Sequence, residues 1–175
     1  MSIQIEPLTI DKLPEASELV KRVFPWQSPT ERMSFWIYAH RDIPLARAIM
    51  KASGVSDIIG FWVAMDTEAK RVLGTTGLYS YRRDASEAIW LAWFCVAPEA
   101  RGHGVGSRLL DFSISEARRT NRQYLRLYTS DDHREAAAQP LYESKGLSVV
   151  RKKRRVLYTE IHRELALKAC ADECA

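Results

Sequence analysis

A glycine-rich turn between an apolar strand and a helix constrains the fold of this 175-residue chain more than any other segment. The apolar run Ala88–Ala97 ends before a proline, and the glycines at 102, 104 and 106 follow directly. Helical spacing of apolar residues then begins at Val105. Glycine adopts positive φ without strain, so we expect these glycines to turn the loop with positive φ and to admit a ligand close to its backbone. Free N–H groups at the start of the helix make this turn a candidate anion site.

Two common phosphate-binding loops are excluded by the spacing. The NTPase loop requires Gly-Lys-Ser/Thr, whereas this chain has Gly106-Ser107-Arg108. The dinucleotide fingerprint G-x-G-x-x-G belongs near the first strand of its unit, but these glycines occupy alternate positions in mid-chain. A tight turn without a ligand is the plain alternative, and three glycines preceded by Arg101 at a helix start argue against it.

The other segments alternate between strand-like and helix-like patterns, which favours an α/β or α+β sheet with both faces covered. We expect helices at 9–24, from Ser28-Pro29 through Ala39, at 45–53, at 105–117 and at 134–145, the last kinked by Pro140 and closed by Gly146. We expect strands at 2–8, 58–65, 72–81, 88–97, 124–130 and 147–161.

Composition and charge fit one soluble domain. The chain shows no secretory signal and no apolar run of the roughly 20 residues that span a bilayer. Its net charge of +4 allows an anionic ligand, nucleic acid or simply a soluble surface. Cys95, Cys170 and Cys174 form no zinc motif, and the four histidines lack metal spacing, so we expect a reducing, cytoplasmic location and no metal.

The segment Arg101-Gly102-His103-Gly104-Val105-Gly106 resembles R/Q-x-x-G-x-G/A, the acyl-CoA loop of the GNAT superfamily of N-acyltransferases. Leu141-Tyr142-Glu143, followed by Gly146, is similar to a second motif of that superfamily. The resemblance covers roughly residues 72–156 and implies a mixed, mostly antiparallel sheet, flanked by helices, with a splayed strand pair that receives acyl-CoA. The expected domain is 1–165, followed by a tail at 166–175.

The resemblance also implies roles for individual residues. Tyr142 would protonate the departing thiolate, the alternative being a half-buried tyrosine that only packs. The strand backbone would bind the pantetheine arm and the thioester oxygen, and the loop would bind the pyrophosphate. The residues concerned are Phe94, Cys95 and Val96 on the strand, and Arg101, Gly102, His103, Gly104, Val105, Gly106 and Ser107 in the loop.

Two departures from the family pattern leave the general base unassigned. The strand segment Trp90–Trp93 contains no carboxylate, so Glu87, Asp84 or bulk water would have to substitute. The asparagine that often precedes the last helix is replaced by Glu135.

The implied activity is acetyl transfer from acetyl-CoA to a primary amine, a small molecule or a protein, by direct attack in a ternary complex. A non-catalytic acyl-CoA-binding or sensing domain is the alternative, supported by the missing strand carboxylate. A nucleic-acid-binding module built on the basic run 151–155 is a third, although we favour a solvated edge strand there and expect no nucleic-acid or membrane partner. The C-terminal strands leave a homodimer open.

Overall fold

A computed structural model describes residues 2–25, 34–133 and 135–167. Their strands, numbered along the chain, are β1 Ile3–Pro7, β2 Val55–Asp66, β3 Arg71–Tyr81, β4 Ala88–Val96, β5 Tyr124–Ser130, β6 Ser148–Arg154 and β7 Thr159–Ala166. The α-helices are α1 Leu13–Val23, α2 Ser34–Ala39, α3 Pro44–Ala52, α4 Val105–Arg119 and α5 Gln139–Ser144. Short 3-10 turns lie at Ile10–Lys12, Pro98–Ala100 and Ala136–Ala138.

The strands form one mixed sheet in the order β1-β2-β3-β4-β5-β7-β6. Every neighbouring pair is antiparallel except β4 and β5, which run parallel. That parallel pairing lasts only from Ala88 opposite Tyr124 to Trp90 opposite Arg126. Beyond it, β4 stays paired with β3 and β5 stays paired with β7, so the two strands separate into the β4–β5 opening. The predicted splayed pair and the mostly antiparallel sheet are confirmed.

Helices cover both faces of the sheet, as predicted. On one face the Thr76 hydroxyl of β3 lies 2.7 Å from the Ser113 hydroxyl of α4. On the other, Glu15 of α1 accepts a hydrogen bond of 2.7 Å from the Val72 N–H, and the ring of Phe35 meets Phe61 at 4.9 Å. Side chains alternate between the faces along a strand, which places Thr75 and Thr76 on opposite sides. Among the described helices, none is long and apolar enough to cross a bilayer.

Two predicted elements differ from the structure. The helix predicted over 134–145 is a 3-10 turn followed by α5, and Pro140 lies in the first turn of α5. Pro140 therefore kinks nothing, because the first turn of a helix has no intrahelical acceptor for its N–H groups. The strand predicted over 147–161 is a hairpin, in which β6 and β7 pair around residues 155–158. Residues 151–154 of the basic run lie on β6, whose residues are all exposed at the edge of the sheet, as the edge-strand interpretation expected, and Arg155 begins the hairpin turn.

Some predicted features lie outside the described residues. The start of the helix predicted from Ser28-Pro29 lies outside them, as do Cys170 and Cys174. At the C-terminal end, β7 continues to Ala166, and Leu167 is buried in the core.

Candidate active site

The glycine turn has the predicted positive φ at two of its three glycines. Gly102 and Gly104 both have φ of +78°, and Gly104 is the N-cap of α4. Gly106 is different, because it lies within α4 with helical φ. A Cβ built there would lie 3.3 Å from Cδ2 of Leu141 and 3.6 Å from Cγ2 of Val96. Gly106 therefore allows close packing between α4, β4 and α5, and the prediction of positive φ there was wrong.

The backbone of this turn presents a row of free donors. Across the described part of the chain, the N–H groups of Gly102 through Ser107 donate to no protein acceptor, and the first amide of α4 to do so is that of Arg108, to Gly104 O at 3.1 Å. The Arg101 side chain folds back, with Nε donating to the Val96 carbonyl at 3.3 Å. His103 Nδ1 lies 2.8 Å from Arg101 O. Six consecutive unbonded amides at the start of a 15-residue helix, where the helix dipole is positive, suit an anion.

A β-bulge distorts β4 where it leaves β5. The pairing with β3 shifts register between Thr75 and Gly77, and Trp93 on β4 adopts φ of +46°. A positive φ is uncommon for a bulky residue and stores strain. The Thr75 hydroxyl donates to the Trp93 carbonyl at 2.5 Å, and the Trp93 indole N–H contacts the Ser34 hydroxyl. The three residues after the bulge, Phe94–Val96, therefore line the opening with backbone that β5 does not pair.

Tyr142 lies between α5 and β4, with 6% of its surface exposed. Its ring centroid is 5.7 Å from that of Phe94, and its hydroxyl makes no hydrogen bond with a residue that the structure describes. Burial, together with the nearby Glu135 carboxylate and the Cys95 thiol, raises the pKa of Tyr142 well above its usual range. The hydroxyl is therefore protonated at every physiological pH, and the structure places the Tyr142 ring next to Phe94, one of the residues predicted to bind the coenzyme.

Cys95 is buried beside Thr75, with Sγ 3.3 Å from the Thr75 hydroxyl. Burial raises the pKa of the Cys95 thiol to about 11. Such a thiol is inert at neutral pH, which fits a packing role for the side chain and leaves the backbone of Cys95 as its predicted contribution.

A polar network that the sequence did not predict fixes α5 against the end of β5. Glu135 Oε2 accepts hydrogen bonds from the Thr129 hydroxyl at 2.5 Å and the Ser130 N–H at 2.7 Å. The buried Arg163 of β7 donates to Gln139 at 2.9 Å and to Glu143 at 2.8 Å. These bonds hold both ends of the segment that carries Tyr142. They join residues up to 24 positions apart, so no local spacing could have revealed them.

Glu87 and Asp84, the carboxylates predicted as substitute bases, are bound to an arginine. Arg126 Nη2 lies 2.7 Å from Glu87 Oε1, its Nη1 lies 3.1 Å from Asp84 Oδ2, and its Nε lies 2.7 Å from Glu164 Oε2. Both residues precede β4 and lie at the end of that strand where it is still paired with β5. The loop follows the other end of β4, about 25 Å away at roughly 3.3 Å per residue.

Comparisons with known proteins agree with this geometry. Residues 57–146, just over half of the chain, match the family profile described as acetyltransferase (GNAT) domain. No curated protein sequence matches the chain at a significant level.

Solved structures share the fold across nearly the whole chain. A GNAT-family acetyltransferase from Staphylococcus aureus Mu50 has a TM-score of 0.69 at 18% identity, covering 95% of this chain and 100% of that one. The ribosomal-protein-S18-alanine N-acetyltransferase of Escherichia coli has a TM-score of 0.67 at 19% identity, with 99% of each chain covered. The yncA protein of Salmonella typhimurium, solved with its cofactor acetyl-CoA, has a TM-score of 0.66 at 17% identity, covering 99% of this chain and 100% of that one. At these identities the likeness establishes the fold, and the profile match establishes the family. The chain belongs to the GNAT family of acetyltransferases.

Proposed function

We propose that this acetyltransferase moves the acetyl group of acetyl-CoA to a primary amine, which attacks the thioester directly in a ternary complex. The observation that carries the proposal is the row of six unbonded amides from Gly102 to Ser107 beside the β4–β5 opening. The domain that performs the reaction is residues 1–165, and the acceptor is a small molecule or a protein.

The turn fits the pyrophosphate of the coenzyme by its donors and by its open surroundings. A Cβ built at Gly102 or Gly104 would meet no atom within 4 Å, so there is room for phosphate oxygens next to the backbone. The helix dipole of α4 favours negative charge at this end. We assign the pyrophosphate to the amides of residues 102–107, with the side chains of Arg101 and His103 beside it.

The opening fits the extended pantetheine arm. Beyond Trp90, one edge of β4 lacks a partner strand, so its backbone can pair with an extended ligand as a strand would. We assign this pairing to Phe94, Cys95 and Val96. An N–H of this segment would polarise the thioester carbonyl, and the bulge at Trp93 presets that geometry before the coenzyme binds.

Tyr142 is the proposed general acid. The coenzyme supplies the activated acetyl group, and the Tyr142 hydroxyl donates its proton to the sulfur as the carbon–sulfur bond breaks. A buried phenol whose pKa is raised keeps its proton throughout the physiological pH range, so a proton donor is present at the sulfur when the thiolate departs.

Thermal unfolding with rising acetyl-CoA tests the first half of this proposal. A ligand at a hundredfold excess over Kd adds about 2.7 kcal/mol to the free energy of unfolding. Dephospho-CoA is the comparison that isolates the 3′-phosphate. Release of free thiol with primary amines tests the second half. The amines are spermidine, tyramine and a peptide that begins with alanine, and the peptide is chosen because one structural neighbour is a ribosomal-protein-S18-alanine N-acetyltransferase. A thermal shift without thiol release would favour the sensing domain, and the absence of both would refute the proposal.

A further inference from the structure

Strand β7, which pairs with β5 next to the β4–β5 opening, carries three titratable residues on the same face of the sheet. Glu160, His162 and Glu164 alternate along β7 and therefore point to the same side of the sheet. His162 is paired across the strands with Tyr128 of β5. Tyr128 lies two residues beyond Arg126, the last residue of β5 that pairs with β4. His162 thus flanks the opening at its start, roughly 7 Å past the last paired residue.

This face is the one opposite α4 and the glycine turn. The His162 ring lies 6.4 Å from that of Tyr128 and 6.5 Å from that of Trp90. Trp90 is paired with Tyr79, which shares a face of β3 with Thr75, whereas Thr76 bonds to α4. His162 and Trp90 therefore face away from α4.

Tyr142 approaches the opening from the other side. Its ring contacts Phe94, whose own ring is directed towards Gly106 of α4, 3.9 Å from a Cβ built there. The Tyr142 hydroxyl and the His162 imidazole thus lie on opposite faces of the sheet at the β4–β5 opening. An amine that enters from the face opposite α4 meets the imidazole.

Glu160 determines which ring nitrogen of His162 carries the proton. Glu160 Oε1 lies 2.5 Å from His162 Nε2, and its Oε2 accepts hydrogen bonds from Arg155 Nη2 at 2.6 Å and Nε at 2.8 Å. Burial by itself would raise the pKa of Glu160, but the hydrogen bonds with Arg155 and His162 prevail and lower it. An ionised carboxylate only accepts hydrogen bonds, so Nε2 of His162 carries the proton. The neutral ring then has its lone pair on Nδ1, which bonds to no described residue.

The charges around His162 are mixed, and its side chain is 20% exposed. The titratable or charged groups on β7, β5, β6 and the hairpin turn that face or neighbour it are Glu160, Glu164, Tyr128, Arg126, Arg151 and Arg155. Arg126 is held by three carboxylates and Arg155 by Glu160, so the nearest cations are already paired.

We infer that His162 is the general base of the reaction, with Glu160 as the residue that positions it. The inference rests on the proposed function and supplies the base that β4 lacks. The amine nitrogen forms the bond to the acetyl carbon, and its proton passes to Nδ1 of His162. The carbon–sulfur bond breaks, its electron pair leaves with sulfur, and the thiolate takes the Tyr142 proton. The imidazolium proton returns to the Tyr142 oxygen through solvent, which restores both groups.

A spectroscopic experiment tests the base without any acceptor. In protein labelled with ¹⁵N-histidine, a long-range ¹⁵N–¹H spectrum distinguishes the protonated from the free ring nitrogen. We expect His162 to show a protonated Nε2 in the wild type and a mixture of tautomers in Glu160→Gln. A wild-type ring protonated on Nδ1 would overturn the assignment.

A kinetic experiment tests the role in the reaction. With the best of the three amines, His162→Gln should lower kcat/KM at pH 8 by about 100-fold or more, while the acetyl-CoA-induced rise in Tm is unchanged. The pH dependence of the rate should also differ between the wild type and His162→Gln, because the variant lacks the imidazole that accepts the amine proton. His133→Gln is the matched control, because the His133 side chain is 87% exposed.

The outcomes separate the two proposals. A His162→Gln rate within twofold of the wild type, with the same pH profile, would assign deprotonation to bulk water and overturn the inference alone. A wild type that acetylates none of the amines would overturn the proposed function.

Discussion

The rings of Phe94 and Tyr142 lie 5.7 Å apart and join the strand at the opening to the short helix α5. This contact leaves Tyr142 with only 6% of its surface exposed, and its hydroxyl makes no hydrogen bond with a described residue. The hydroxyl itself is not fully enclosed, because the buried side-chain atoms without a partner in the described part of the chain are Asp84 Oδ1 and Arg122 Nε. A ligand in the opening can therefore contact this hydroxyl without displacing a protein partner.

Tyr142→Phe removes this hydroxyl and keeps the ring. Because no hydrogen bond within the described protein is lost, we expect the free energy of unfolding to change by less than about 1 kcal/mol. Acetyl-CoA should still raise Tm, while kcat falls about 100-fold through loss of the acid. Steady-state thiol release and thermal unfolding measure both effects.

Tyr158→Phe is the control for Tyr142→Phe, since Tyr158 is 47% exposed on the hairpin.

The raised pKa of Tyr142 adds a second test. Tyrosine ordinarily has a pKa of about 10. Because the pKa of Tyr142 is higher, the wild-type rate should not fall as the pH is raised to about 10. Unchanged kcat in Tyr142→Phe would reduce Tyr142 to a packing residue.

Gly104→Asn should separate binding from folding. Asparagine tolerates positive φ better than other side chains, so the free energy of unfolding should fall by no more than about 1 kcal/mol. The new side chain would occupy the open space in front of the turn, and the acetyl-CoA-induced rise in Tm should disappear. Gly54→Asn is a matched control, because Gly54 has the same φ of +78° and the same open surroundings at the far end of β2 and β3. Loss of the thermal shift in both variants, or in neither, would remove the turn from the proposed site.

Arg126→Met should destabilise the fold. Arg126 is 20% exposed and neutralises Asp84, Glu87 and Glu164, and these hydrogen bonds raise its pKa further despite partial burial. Removing one partner of a largely buried ion cluster costs about 3 kcal/mol, because the remaining charges lose their counter-ion. Urea unfolding of the variant measures this loss.

Arg119→Met is the comparison for Arg126→Met. Arg119 also bonds a carboxylate at 2.7 Å, that of Glu116, but its side chain is 75% exposed. Exposed pairs contribute about 0–1 kcal/mol, so this variant should unfold almost as the wild type does. Equal losses in the two variants would show that burial does not set the strength of the Arg126 cluster.

The sequence predicted those features that depend on local pattern. The glycine turn, the apolar strand before it and the amphipathic helix after it have short-range signals, and the structure contains all three. The hairpin of β6 and β7 was missed because its turn, residues 155–158, has no glycine, proline or asparagine to mark it. Gly106 looked like its two neighbours in sequence, and only the approach of Leu141 distinguishes it.

The chemistry on β7 could not be predicted from spacing. Glu160 and His162 are two positions apart, which is compatible with a strand that faces solvent. Their relation to the opening depends on the pairing of β7 with β5, more than thirty residues earlier in the chain. Such a register is set by tertiary packing. The missing carboxylate on β4 was visible in sequence, whereas its candidate replacement required the sheet order.

Cys95 should make stability depend on alkaline pH. Burial is the main cause that raises the pKa of its thiol, from an ordinary value of 9.0 to about 11. Below pH 9 the thiol is protonated in both the folded and the unfolded chain, and its full contribution to stability is present. Between pH 9 and 11 the unfolded chain ionises first, so the free energy of unfolding falls as the pH rises, by about 2 kcal/mol over this range.

Urea unfolding of the wild type and of Cys95→Ala at pH 8 and pH 11 measures this contribution. Cys95→Ala is less stable at both pH values because it leaves a small cavity, but its loss between them should be smaller than that of the wild type by about 2 kcal/mol. Tyr79, whose pKa burial also raises, is present in both proteins and cancels in the difference. Equal losses would mean that the thiolate is accommodated in the folded state, and the side chain of Cys95 would then have to be reconsidered as a reactive group next to the opening.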